Sequence, residues 1–372
     1  ADAVERALAR WPCEGIPANP EAWLLTVTRN RLRDMWKSHA YRMIEPLGQT
    51  DGGTTEVPGD GGEMPDIPDR RLELMLVCAH PAIAPTIRTP LMLQAVLGVE
   101  AAAIADAFAV PRATMAQRLV RAKNRIRDAA IPFVLPERAD LAGRMPAVLE
   151  AVYGAYAIDW QLTCVGAPIE SLSAEATHLA LVLTELLPNE PEVLGLAALV
   201  CLSEARRSAR RTSNGRFIPL DEQDTTLWEA TLIARGEGLL RRAHVFRRPG
   251  RFQYEAAIAS AHCDRARTGR TDWAALRTLH RGLVREAPSL GAAVSLAAVE
   301  GEIDGPGAGL RALEAIDDPT VERFQPAWST RAHLLARAGR TDAAADAYRR
   351  AIDLTRDTGI RDYLMSLCER LG

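Results

Sequence analysis

The residues with the most chemistry to offer lie between Pro111 and Ala129. Arg112, Arg118, Arg121, Lys123, Arg125 and Arg127 place six positive charges in a short span, with Asp128 as the single acid and Thr114 and Gln117 among them. Cationic side chains displace counterions from a phosphate backbone. Arg and Gln can also hold a base edge with two hydrogen bonds, guanine for Arg and adenine for Gln. Met115, Leu119, Ala122 and Ile126 step by four, three and four, which predicts a helix that buries one stripe beneath these charges. An ordinary basic helix of a bundle would look similar. The short apolar helix before it (Glu100 to Phe108), the tight Ala-Val turn and the Pro111 entry favour a DNA-contacting helix. Ala102, Ile104, Ala105 and Phe108 are expected to supply that shorter helix's apolar contacts.

A second basic group sits near the start. Asn19-Pro20 is a helix entry, with Asn as the cap and Pro at the first position. In the helix expected from Pro20 to Tyr41, Arg29, Arg33 and Lys37 fall at i, i+4 and i+8, with Asn30, Arg31, His39 and Arg42 nearby. Taken alone, such a stripe is more simply a solvated face. Trp23 and Trp36 could stack on unpaired bases, although tryptophan within a helix more often serves a core.

Several elements must position these groups. Residues 44–69 are rich in Gly and Pro and carry seven acids without Lys or Arg. Such a segment lacks the apolar surface to offset its ordering entropy, so a flexible acidic linker is expected. It would separate a first block (1–43) from a second (70–135). In the second block, helices are expected over Arg70–Cys78 and over 85–97, with Gly98 as a stop. His80 is expected to make a helix-end hydrogen bond.

From Leu141 onward, helix follows helix, and 136–372 is expected to form one helical domain. Helices over 145–156, 173–187 and 190–207 should each bury one face. Asn214-Gly215 suggests a tight turn, and Asp224 or Thr225 a cap for the helix carrying Trp228. Asp221, Glu222, Gln223 and Asp224 are more simply capping and surface groups than a ligand cluster. RAHLLARAGRTDAAADAYRRAIDL, with Ala344, Tyr348 and Ala351 on one face, has the pattern of a tetratricopeptide (TPR) helix pair, and residues 291–316 a looser version. Arrays of this kind present a concave surface to proteins or peptides, so a protein partner is the first expectation there, with a purely structural role, packing on the preceding modules, close behind.

The whole composition predicts an all-α protein of two or three domains. The net charge is −3, so any nucleic-acid contact must come from local patches. The six cysteines form no CxxC pair, and buried free thiols are expected. No apolar run is long enough for a membrane span, and no signal peptide is expected. Walker, HExxH and GxSxG motifs are missing and the seven histidines are isolated. A non-enzyme without metal or organic cofactor is therefore expected, in the cytoplasm.

NPEAWLLTVTRNRLRDMW, RLELMLVCAHPAI and VPRATMAQRLVRAKNRIRDAAIPF resemble the extracytoplasmic-function branch of the sigma-70 superfamily, in its subgroup with a long TPR-like C-terminal extension. The resemblance implies that Trp23–Arg42 is the second half of sigma region 2, which melts and reads the −10 promoter element. Trp23, Arg29, Asn30, Arg33 and Lys37 would lie on that strand. Residues 85–129 would be region 4, with Arg112, Thr114, Gln117, Arg118 and Arg121, supported by Lys123 and Arg125, on −35 DNA. Promoter DNA and core RNA polymerase are the implied partners.

The chain departs from the family pattern twice. The acidic helix pair that docks on the polymerase is represented only by ADAVERALARWP, so region 2 is expected to be N-terminally incomplete. Ala103 stands where the family usually has Glu. Two other readings start from the same residues. One is a TPR-like interaction protein with a remnant sigma portion, and the other a helix-turn-helix regulator that acts without polymerase.

Overall fold

Asp69 starts the first described helix by accepting the Arg71 backbone N–H at 2.9 Å. Its carboxylate also takes the Arg71 guanidinium and lies 3.4 Å from His178. Burial alone would raise this carboxyl's pKa, but the His178 and Arg71 contacts outweigh it and hold it well below the ordinary range. The structure, a computed structural model, describes residues 69–108, 110–128, 138–162, 170–212 and 214–371. The first block and nearly all of the acidic linker lie outside these residues, and with them Trp23, Arg29, Asn30, Arg33 and Lys37.

The fold is all-α. In chain order the helices are α1 (Arg70–Cys78), α2 (Pro85–Ala95), α3 (Ala101–Ala107), α4 (Arg112–Asp128), α5 (Arg138–Leu162), α6 (Glu170–Leu186) and α7 (Pro191–Glu204). They continue with α8 (Ala230–Val245), α9 (Arg251–Cys263), α10 (Arg265–Thr268), α11 (Trp273–Glu286), α12 (Leu290–Ile303), α13 (Pro306–Glu314), α14 (Gln325–Arg337), α15 (Thr341–Leu354) and α16 (Thr358–Glu369). Among the described residues the only β feature is one antiparallel bridge, Arg211 to Phe217. Gly215 turns that loop at φ 83°, at the expected Asn-Gly position.

Helix α7 organises the centre. Every residue from Pro191 to Ser203 except Glu192 is buried, so the helix is enclosed on all sides rather than on the one face expected, as a helix apolar all round must be. It packs against α8 and α9 most extensively, and also against α5 and α6. The approach to α9 is very close, because a Cβ on Gly195 would stand 2.7 Å from the Gln253 backbone nitrogen. Glu192 then caps α9 from outside, accepting the N–H groups of Phe252 at 3.0 Å and Gln253 at 3.3 Å. Such a distant carboxylate does the work of a local N-cap.

One hydrophobic core runs without a break from Leu72 in α1 to Cys263 in α9. It crosses the expected boundary near residue 136, chiefly where α5 packs on α2. Arg144 of α5 reinforces the seam by donating to the Leu76 carbonyl at 3.0 Å. Arg207 joins three helices, reaching Asp159 at 3.3 Å, Ser173 at 2.5 Å and Glu204 at 2.6 Å. From α11 onward each helix contacts the next, and α12 also meets α14. Two smaller cores fill this stretch, one around Val294, Leu313 and Leu334, the other around Leu335, Tyr348 and Leu364. The TPR-like pair is α14 and α15. Gly339 turns between them at φ 73°, and Ala344, Tyr348 and Ala351 are buried as expected.

Two local expectations need correction. Asp224 caps a short 3-10 turn, Thr225–Leu227, and Trp228 follows that turn while the long helix begins at Ala230. Gln223 is buried rather than at the surface, because its amide donates to the Ile218 carbonyl at 3.3 Å.

Candidate nucleic-acid interface

Three features set α3 against α2 and turn the chain into α4. Gly98 leaves α2 at φ 68°, where the missing Cβ permits the left-handed turn. Val99 then donates to the Leu93 carbonyl at 2.9 Å, closing the turn. The Val110 N–H returns to the Ala105 carbonyl at 2.9 Å, folding the connection back on α3. Met115, Leu119 and Ala122 of α4 are buried and Ile126 is half-buried against the same core. Phe108 behaves differently from its expected packing role: it is 40 % exposed at the cap of α3, and Ile104 and Ala105 carry the contact instead. Ala103 is half-buried against the core, which an apolar methyl suits.

The opposite side of α4 is open. Arg112, Gln117, Arg118, Arg121, Lys123 and Arg125 are exposed and Thr114 is half-buried. At about 100° per residue these seven do not share a face. Thr114, Arg118, Arg121 and Arg125 repeat the 4-3-4 spacing of the buried stripe one residue earlier, so they form a ridge along one flank. Arg112, Lys123 and Arg127 lie on the other flank. Gln117 points directly away from the core, with Ala113, Val120 and Asn124 beside it. Val120 is 57 % exposed, a large apolar side chain on the outermost line of the helix that its charge pattern does not reveal.

Electrostatics separate the cations further. Arg118, Arg121, Lys123 and Arg125 make no ion pair with another described residue, whereas Arg127 lies 3.5 Å from Asp128 and 2.9 Å from the Asn124 side chain. Arg112 donates to Asp106 of α3 at 2.8 Å. Asp106 also pairs at 2.5 Å with Arg356, from the connection between α15 and α16. The Arg112 hydrogen bond, with Arg356 behind it, holds the Asp106 carboxyl below its ordinary pKa. Asp106 and Arg356 carry no site signal in the sequence, since they are 250 residues apart and each is an ordinary surface charge by itself.

No set of three or more His, Cys, Asp or Glu among the described residues could hold a metal ion. Cys78, Cys201 and Cys263 are buried free thiols and Cys368 is half-buried. Burial pushes the Cys78 and Cys201 thiols up to about 11, which leaves them protonated and unreactive near neutrality. No helix among the described residues is long and apolar enough to cross a membrane.

The class defined so far is an all-α protein in which a basic two-helix unit shares its core with a larger helical body. Residues 144–244, from within α5 to the end of α8, match a family of unknown function, DUF6596. An uncharacterized protein of Rhizobium meliloti (strain 1021) is 34 % identical over 379 residues, spanning 100 % of this chain and 88 % of the relative. The chain belongs to the same family as that protein. No solved structure matches this chain.

Proposed function

We propose that the chain is a promoter-directed transcription-initiation factor, similar to an extracytoplasmic-function sigma factor, acting in the cytoplasm with core RNA polymerase. The observation that supports this reading best is the surface of α4: a buried stripe anchors the helix while an outward line and two cationic flanks remain open. Such a helix fits a major groove, with the outermost side chains at base edges and the flanks at phosphates. Gln117 on the outward line and Arg121, one turn on and the member of its flank nearest that line, are then the base-reading residues, and Val120 suits a thymine methyl. Arg118, Arg125 and Lys123 hold phosphates. The −10 role of Trp23, Arg29, Asn30, Arg33 and Lys37 rests on the family resemblance alone. The successive helices α11 to α16 offer a surface for a protein partner.

Binding to a duplex library, followed by titration on the selected sequence, tests the assignment. Gln117→Ala and Arg121→Ala should each cost roughly 1–3 kcal/mol and relax preference at one base pair. Lys123→Ala should weaken all sequences alike and reduce the salt slope by about 0.9. Unchanged preference in both base-reading variants would mean that another face of α4 meets DNA. No selected sequence at all would count against the proposal.

A further inference from the structure

A cleft of about 870 Å3 opens between α8, the connection after it, α9 and α11, far in sequence from α4. This lies in the range of small-molecule sites, ~300–1,000 Å3. Leu240, Ala257 and Leu279 give it an apolar wall, and Tyr254 and Ser260 add hydroxyl groups. Tyr254 is seated against Gly282 of α11, where a Cβ would stand 2.3 Å from its ring. Glycine at 282 is therefore what lets the ring lie there.

The charges of the cleft are lopsided. Arg241, His244, Arg247, Arg248 and Arg267 line it, against Glu237 alone. Glu237 lies 3.8 Å from both Arg241 and Arg267, too long for a direct hydrogen bond to either. Arg267 is held from outside the cleft by Asp264, and Arg248 sits 3.7 Å from Glu190. Arg247 has no carboxylate partner among the described residues. It is also the one described non-glycine residue at positive φ, 51°, a conformation that costs free energy and is often retained at ligand sites. The guanidinium fork suits a phosphate, whose oxygens accept paired hydrogen bonds.

We propose that this cleft binds a small organic phosphate. The phosphate sits among Arg247, Arg241 and Arg267, and the apolar body lies on Leu240, Ala257 and Leu279 beside Tyr254. Glu237 limits the affinity by repelling the anion. Promoter recognition by α4 is not required for this binding.

Calorimetric titration of the full chain with 4-nitrophenyl phosphate and with inorganic phosphate tests the proposal. The aryl phosphate should saturate one site and bind about tenfold more tightly than inorganic phosphate, because only it uses the apolar wall. Arg247→Ala should raise its Kd by about tenfold, and Glu237→Gln should lower it by about threefold. Arg349→Ala, which removes an exposed guanidinium on α15, should leave Kd unchanged. Circular dichroism verifies that each variant is folded. Failure to saturate, equal affinity for the two probes, or an equal effect of Arg247→Ala and Arg349→Ala would each overturn the proposal.

Discussion

His262 on α9 shows how a single side chain couples this fold to pH. Burial, then the positive charge of Arg206 and the neighbouring His280 and Arg265, lower its pKa from 6.5 to about 4. His280 is shifted in the same direction by burial. A folded value below the unfolded one means that the unfolded chain binds more protons between about pH 6.5 and 4, so stability falls as pH drops through that window. Melting experiments should show a smaller loss of Tm between pH ~7 and ~4.5 in His262→Gln than in the parent. An identical loss would remove His262 from the account. None of this was legible in the sequence, where His262 is one isolated histidine. Of the charges that act on it only Arg265 is near in sequence; Arg206, just past α7, and His280 of α11 are placed beside it by packing. The basic residues of α4 were legible individually, but their division into two flanks follows from which stripe the core selects.

At the scale of elements, helix ends and periodicity carried most of the information. The limits of α1, the Gly98 turn, the Pro111 entry and the α14–α15 pair were all visible because caps, glycines and 3-4 spacing are local signals. Helix α7, expected to bury one face, is buried all round, in keeping with a sequence that is apolar without interruption from Val193 to Leu202. Phe108 was misplaced because its spacing fits the stripe while the turn rotates it outward. The stripe under α4 gives a direct test. Leu119 is 1 % exposed, and Leu119→Ala should cost about 2–5 kcal/mol through lost burial and a cavity. Val120→Ala, one residue away on the open face, should change stability by less than about 0.5 kcal/mol. Denaturant titrations measure both, and equal costs would mean that α4 is not seated by this stripe.

Across the whole molecule, the continuous core makes the basic unit dependent on the helices that follow it. Leu91, Met92 and Leu93 of α2 belong to the same core as Val148 and Val152 of α5, so cutting the chain near residue 135 uncovers apolar surface. A fragment of residues 64–135 should lack a cooperative thermal transition, and a sharp two-state melt would show that the unit is autonomous. The expected division at 136 followed a real change in sequence pattern, from basic and mixed to Leu- and Ala-rich. The residues that form the shared core are not legible there, because contacts between α2 and α5 leave no trace in composition. The Arg356–Asp106 pair was equally invisible, although it joins the C-terminal helices to α3. Run-off transcription bears most directly on the proposed function. Promoters chosen by duplex selection would be transcribed by core RNA polymerase with and without the chain, including a version extended at its N-terminus. The account predicts a chain-dependent transcript from selected templates that weakens in Gln117→Ala and Arg121→Ala. Duplex binding without any chain-dependent transcript, in either version, would contradict it.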